Sequence, residues 1–145
     1  AQNISVHGYS VDLECVDKAA LLHDVMKMYC IKNNCSHAQE AEKILAQLGY
    51  PGFGEIVKLH NLEDILQFTK STPLEAKIVW YADKRVNHGK VVSMRTRYEY
   101  FRGQYGSKSP QKMQEIISTE KAAYALEKVL VEMAGLGEDF LEGTV

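Results

Sequence analysis

A histidine and an aspartate stand side by side at His23-Asp24, at the end of a short apolar run. Adjacent side chains on a helix diverge by about 100°, yet both can reach one ion that lies beside the helix axis. The pair therefore indicates a metal site, and a buried histidine that hydrogen-bonds to a neighbour is the plainer alternative. His37, His60 and Asp83 follow in later segments, each beside apolar positions where a polar group needs a partner. A metal shared by these segments is the first hypothesis.

The elements that must position these side chains are predicted to be helices almost throughout. Ser10 or Asp12 can cap a first long helix, and Ser36 can cap a second helix that ends at Gly49. The apolar positions recur with helical spacing. The predicted buried faces are Leu13, Val16, Ala20, Leu21 and Val25 on the first helix, and Ala38, Ala41, Leu45 and Leu48 on the second.

The second half of the chain follows the same pattern. We predict a turn at 50–52, a helix that opens at Pro73 and carries Asp83, and a short extended piece at 91–92. Ser93 is expected to cap the next helix, and Ser109 the last one, which runs to Gly135. The chain is therefore predicted to be all-α, with one domain over residues 1–135 and an acidic C-terminal tail over residues 136–145.

Composition excludes several classes of protein. The chain has 145 residues, a formal net charge of −2 and a pI near 6.2, which argue against nucleic acid or an acidic membrane surface as a partner. It holds no apolar stretch near the roughly 20 residues that span a bilayer. Its three cysteines, Cys15, Cys30 and Cys35, are an odd number. We therefore expect free thiols and a reducing, cytoplasmic compartment.

Two segments resemble one known family. Leu21-Leu22-His23-Asp24-Val25-Met26-Lys27 is similar to the L-L-H-D-I-G-K motif of the HD-domain metal-dependent phosphohydrolases, and Tyr81-Ala82-Asp83-Lys84 resembles their distal A-D-K segment. The resemblance covers nearly the whole chain. It implies a single HD-domain helical bundle of about six or seven helices.

The resemblance also implies a set of metal ligands. His23, Asp24 and Asp83 match the ligands of the family's mononuclear members. His37 and His60 match two further histidines that bind a second metal in dinuclear members, with Asp24 as the bridge. The family's first histidine would fall before Ala1. Either this chain starts after that ligand, which is the alternative we favour, or the protein lacks one ligand and binds metal poorly.

The chemistry that follows is hydrolysis of a phosphate ester. One or two divalent transition-metal ions would lower the pKa of bound water from about 15.7 towards 7, and mixed ligands of this kind suit Fe, Mn, Co, Ni or Zn. We expect Asp24, Lys27 and Lys84 to take part in catalysis. The side chains expected to bind the substrate phosphate are Lys27, Lys84, Arg85 and Arg95, whereas Arg97 and Arg102 are expected to be solvated or ion-paired.

The predicted function is therefore a phosphomonoesterase or phosphodiesterase that acts on a small phosphorylated molecule, a nucleotide by preference. Two alternatives stay open. A non-catalytic HD-fold module could bind a nucleotide or regulate a partner, and a di-iron oxygenase could use the same fold. The aromatic residues Tyr98, Tyr100, Phe101 and Tyr105 have helical spacing and are expected in the core or at a partner surface rather than against a base.

Overall fold

Helices account for most of residues 1–137 and Phe140, the part of the chain that the computed structural model describes. The eight α-helices of this part are α1 (Gln2–Val6), α2 (Leu13–Leu22), α3 (Lys27–Asn33), α4 (His37–Gln47), α5 (Pro51–Val57), α6 (Leu74–Lys84), α7 (Met94–Gln104) and α8 (Pro110–Met133). Two 3₁₀ helices, Leu62–Gln67 and Gly106–Lys108, and a hairpin of β1 (Val86–Asn87) and β2 (Lys90–Val91) lie between them. The all-α prediction is confirmed, while most of the predicted acidic tail lies outside the described residues.

The predicted first long helix is in fact two helices. Asp12 caps α2, as one of the two predictions had it, by accepting a hydrogen bond from the Cys15 backbone N–H at 2.9 Å. The helix ends at Leu22, and residues 23–26 form a turn before α3 begins. The predicted buried face was wrong. Ala19 is the fully buried residue of α2, and Val16 is half-buried. The other four predicted residues are exposed: Leu13, Ala20, Leu21 and Val25.

The segment from α4 to α5 departs from the predicted turn at 50–52. Gly49 adopts a φ of +89° and ends α4, as predicted. The chain then enters α5 directly, with Pro51 in its first turn, where the missing N–H group costs no hydrogen bond. Leu48 lies beyond the last turn of α4 and is exposed instead of buried.

The two helices α4 and α5 pack unusually closely at Gly54. A Cβ atom added to Gly54 would lie 3.0 Å from the backbone oxygen of Glu42 in α4. A salt bridge of 2.6 Å from Lys58 to the Glu42 side chain joins the same two segments. A residue with a side chain at this crossing would therefore force the two backbones apart.

The expectation of three free thiols was wrong. Cys30 and Cys35 form a disulfide, and Cys15 is the free cysteine of the described residues. The reason is local: Asn34 ends α3 in the left-handed region, with a φ of +52°. The chain reverses there and returns Cys35 to within 4.6 Å of Cys30, measured between Cα atoms. The cytoplasmic location stays a prediction, without the argument from free thiols.

Helix α6 lies at the centre of the fold, since it contributes to all three apolar clusters. Val79 packs with residues of α2, α4 and α5, and Trp80 packs with residues of α7 and α8. Ile78 packs against α1 and the end of α8. This burial on several sides fixes the C-terminal end of α6, where Asp83 and Lys84 lie.

The last two helices begin as predicted. The Ser93 hydroxyl accepts a hydrogen bond from the Thr96 N–H at 3.1 Å, and Ser109 accepts one from the Lys112 N–H at 3.3 Å. Helix α8 is 24 residues long and ends before Gly135, whose φ is +62°. Within the described residues, no helix combines the length and apolar character that crossing a membrane requires.

Candidate metal centre and its cavity

The structure brings the five predicted metal ligands together from four places in the chain. His23 and Asp24 lie in the turn that follows α2, and His37 is the first residue of α4. His60 follows the end of α5, and Asp83 lies in the last turn of α6. The short connections between these helices allow their ends to meet on one side of the bundle.

Three of these side chains form a compact group that could hold a metal ion. The Asp24 Oδ1 atom lies 3.4 Å from His37 Nε2 and 3.6 Å from His60 Nε2. The two histidine Nε2 atoms are 2.8 Å apart. Ligand atoms placed about 2.1 Å from a tetrahedral ion would be about 3.4 Å from one another. The donor types and spacing of Asp24, His37 and His60 therefore fit a divalent transition metal.

The other oxygen of the same aspartate faces a different histidine. The Asp24 Oδ2 atom is 3.6 Å from His23 Nε2, and that nitrogen is also 3.6 Å from Asp83 Oδ1. His23 thus lies between two carboxylates. Asp24 presents one oxygen to His37 and His60 and the other to His23, which is the arrangement that a bridging carboxylate needs.

Backbone carbonyl groups orient two of the three rings. The His60 Nδ1 atom lies 2.6 Å from the Val57 oxygen, and His23 Nδ1 lies 2.7 Å from the Ala20 oxygen. A carbonyl oxygen can only accept, so Nδ1 carries the proton in both rings. In the neutral form, each ring therefore keeps a lone pair on Nε2, which faces the cluster. Fixing the outer nitrogen in this way is typical of metal-binding histidines.

The carboxylates of the cluster are held in their charged form. Burial alone would raise the pKa of Asp24, but its contacts with His60 and Lys27 outweigh that effect and leave the pKa far below its usual value. Burial would also raise the pKa of Asp83, but its contacts with His23 and Lys84 lower that pKa by more, so the net shift is again downward. Metal ligation requires this deprotonated state.

The histidines respond in opposite directions. The nearby Asp83 carboxylate raises the pKa of His23 above the ordinary value. Burial, followed by the nearby His60, lowers the pKa of His37. His37 is therefore the more readily available neutral ligand, whereas a metal that binds His23 must displace a proton more often.

The two predicted catalytic lysines occupy different environments. Lys27 is half exposed, and its Nζ atom lies 2.7 Å from Asp24 Oδ2. Lys84 is buried, and its amine donates to the His60 carbonyl oxygen at 2.8 Å and to the Asp83 carboxylate. Lys84 thus ties together two segments that carry ligands, which is a positioning contact that the sequence did not indicate.

A cavity of about 520 Å³ opens beside the cluster. One wall carries Asp24, His37, His60, Asp83 and the two lysines. The opposite wall comes from α7, the second 3₁₀ helix and the start of α8, and its lining residues include Arg97, Phe101, Tyr105, Lys108 and Lys112. This volume is within the range of ligand pockets for small molecules.

A comparison with protein-family models agrees with this geometry. The model described as HD domain matches residues 1–87, which is more than half of the chain and includes all five residues of the cluster. The chain belongs to the HD-domain family. A search of curated proteins and a search of solved structures found no match. The second wall of the cavity, from Arg97 onwards, lies outside the matched residues.

Two arginines that were expected to bind substrate do not reach the cavity of this HD domain. Arg85 is buried on the other side of α6, where its guanidinium donates to Glu127 at 2.8 Å and to the Tyr81 hydroxyl at 2.5 Å. Its Nε atom donates to the Val92 carbonyl oxygen, also at 2.5 Å. These partners engage three of the five N–H groups of the guanidinium. Arg85 is therefore a structural ion pair and not a phosphate ligand.

Arg95 points away from the cluster. Its side chain is 83% exposed and lies 3.7 Å from Glu99, beside a separate cavity. Arg102, for which an ion pair was one expectation, donates to both oxygens of Glu120 at 2.8 and 2.7 Å. Helix α7 thus directs Arg95 and Arg102 to one face, and Arg97 to another.

Arg97 and two aromatic residues line the cavity, although sequence reasoning did not place them there. Arg97 was expected to be solvated or ion-paired, and the aromatic cluster to be core or a partner surface. Tyr98 and Phe101 are indeed buried, but Phe101 and Tyr105 also line the cavity. A helical spacing of four residues joins Arg97, Phe101 and Tyr105, which is the one signal that could have placed them on a shared face.

Proposed function

We propose that this HD domain is a metal-dependent phosphohydrolase that acts on a small phosphorylated substrate, with a nucleotide as the preferred class. The observation that carries the proposal is the position of Asp24, whose two oxygens face two different sets of histidines. Membership of the HD-domain family supports a hydrolase in general terms. The adjoining cavity supports a small-molecule substrate.

The candidate ligands would hold two metal ions in two adjoining groups. His37, His60 and Asp24 would hold one divalent ion, and His23 and Asp83 would contribute to a second. When bound, such ions lower the pKa of coordinated water and neutralise the charge of the phosphoryl group. Asp24 would fix the distance between the two positions, because its oxygens point in different directions from one rigid carboxylate.

The two lysines would act at different distances from the substrate. Lys27 is 52% exposed in its side chain, so it can turn from Asp24 towards a phosphate oxygen in the cavity. Lys84 is buried and engaged with His60 and Asp83. We propose substrate binding for Lys27 and a positioning role for Lys84, which holds two ligand segments in place.

The test combines metal content with phosphate release. The full chain would be loaded with Mn²⁺, Fe²⁺ or Zn²⁺, and its bound metal measured by elemental analysis. Release of inorganic phosphate would then be followed from nucleoside monophosphates and diphosphates, and diester cleavage from bis(4-nitrophenyl) phosphate. Asp24→Ala should lose both turnover and bound metal, whereas Asp17→Ala, which removes an exposed carboxylate of α2, should keep both.

Other outcomes would contradict the proposal in distinguishable ways. Full activity in Asp24→Ala would exclude the site as described. Binding of a nucleotide without its consumption would favour the non-catalytic alternative. Dioxygen consumption by the iron-loaded protein, without phosphate release, would favour the oxygenase.

A further inference from the structure

The cavity wall opposite the metal cluster carries positive charges that the proposed chemistry does not use. Arg97 on α7, Lys108 in the second 3₁₀ helix and Lys112 on α8 all line the cavity. None of them belongs to the part of the chain that the HD-domain model matches. Their presence therefore needs an explanation of its own.

Arg97 is held in place without a charged partner. Its NH1 atom donates to Asn87 Oδ1 at 2.9 Å, and its guanidinium lies 4.5 Å above the centre of the Phe101 ring. Its Nε atom is buried and has no hydrogen-bond partner among the described residues. A guanidinium carries five N–H groups, and Asn87 accepts from one of them, so other N–H groups remain for the oxygens of an anion in the cavity.

The two lysines add to this charge unequally. Lys112 lies 2.7 Å from a carboxylate oxygen of Glu115, which offsets its charge. Lys108 forms no ion pair within the described residues and lies one residue before Ser109, another lining residue. The uncompensated charge of this wall therefore comes from Arg97 and Lys108.

We infer that Arg97 and Lys108 form a subsite for a second anionic group, so that the preferred substrate carries two phosphate groups. This inference rests on the proposed function, which places the first phosphate at the metal cluster. Guanidinium groups bind phosphate oxygens in a paired geometry, and a lysine adds a point charge. The cavity volume of about 520 Å³ is large enough for a ligand that reaches both walls.

The test is a binding measurement on the full chain loaded with Mn²⁺. Isothermal titration calorimetry would compare methylenebisphosphonate, which has two phosphonate groups, with methylphosphonate, which has one. Neither is hydrolysed as a phosphate ester, so the readout does not depend on turnover. We expect the wild type to bind the bisphosphonate at least about tenfold more tightly, as one charge-assisted contact would give.

Three variants then separate the subsite from simple chelation of the metal. Arg97→Met and Lys108→Met should each remove most of the bisphosphonate advantage. Arg95→Met is the matched control, because Arg95 lies on the same helix and lines a different cavity, and it should leave the advantage unchanged. Lys108 is exposed, so its substitution is informative even if Arg97→Met fails to fold.

Two results would overturn the inference. Equal affinity of the wild type for both phosphonates would show that no second subsite exists. If the bisphosphonate advantage persists in Lys108→Met and Arg97→Met, it comes from chelation of the metal. If it falls equally in Arg95→Met, it comes from the net charge of the protein. Absence of phosphate release, with the bisphosphonate result as expected, would count against the proposed function alone.

Discussion

The two walls of the cavity differ in how their charges are compensated. One wall, the ligand wall, carries the candidate metal ligands Asp24, His37, His60 and Asp83. On this wall, Lys27 is paired with Asp24, and Lys84 is paired with Asp83. On the opposite wall, Arg97 contacts an amide oxygen and an aromatic ring. The first wall offers lone pairs within a closely packed set of acids and histidines. The second offers the donors of Arg97 and Lys108, which form no ion pair within the described residues.

The two walls of this small cavity therefore suit two kinds of ligand, a cation on the first wall and an anion on the second. Histidine and carboxylate ligands select a cation, and they need exact spacing because metal–ligand distances vary little. Arginine and lysine select an anion, and they tolerate more variation because long side chains can adjust. We therefore expect changes on the ligand wall to act on metal binding and stability, and changes on the opposite wall to act on ligand choice.

The largest effect is expected from His60→Ala. This change removes one of the two nitrogens that face Asp24 Oδ1, so the variant should lose one bound ion per chain and most of its turnover. Elemental analysis after loading with Mn²⁺ would measure the stoichiometry. His88→Asn, at the hairpin turn with a φ of +50° that asparagine tolerates, is the control. An unchanged stoichiometry in His60→Ala would make His60 merely structural.

A second prediction concerns the arginine that does not reach the cavity. Arg85 and Glu127 are both nearly inaccessible, with side chains 6% and 5% exposed. Arg85→Met would leave the Glu127 charge buried without its partner, so unfolding free energy should fall by about 3–5 kcal/mol. Urea unfolding would measure the loss. Phosphonate affinity should not change in the folded variant, and a specific loss of affinity would restore Arg85 as a ligand-binding residue.

Lys84 and Lys27 allow a paired comparison on the ligand wall itself. Lys84→Met removes donors to the His60 carbonyl and to Asp83, and should cost roughly 2–3 kcal/mol because the acceptors are largely buried. Lys27→Met breaks an exposed pair and should cost less than about 1 kcal/mol. Equal losses in urea unfolding of the metal-free proteins would contradict the positioning role of Lys84.

The smallest effect is a dependence of metal affinity on pH. Because contact with Asp83 raises the pKa of His23, the metal-free protein retains a proton there that a metal must displace. Mn²⁺ affinity should therefore rise from about pH 6 to about pH 8. The raised pKa of His23 also stabilises the folded, metal-free protein at pH values below the ordinary histidine pKa. This contribution is lost as the pH rises through the pKa of His23 in the folded protein. Titration calorimetry of His23→Gln should show a flatter profile.

The residues of the ligand wall could be predicted from the sequence because their positions follow from local patterns. His23-Asp24 and Asp83 lie in short motifs, and His37 follows a residue expected to cap a helix. The cap at Ser93 and the start at Pro110 are likewise local. Each of these predictions needed only a few neighbouring residues.

Some errors arose where contacts that are distant in the sequence decide where a side chain lies, and others arose at local turns. Arg85 was expected beside the substrate but is paired with Glu127, more than 40 residues away in the sequence, whereas Arg97 lines the cavity. The disulfide was missed because it depends on the left-handed turn at Asn34. Periodicity alone also could not reveal that the first helix stops at Leu22.

The crossing of α4 and α5 at Gly54 limits how this protein can vary. His37 begins one of these helices, and His60 follows the other, so the interval between their rings depends on how closely the two backbones approach. Any larger residue at position 54 would push α5 away from the backbone of Glu42 in α4. A residue that has no side chain, and that is not one of the candidate ligands, thus helps to set the spacing of the two rings.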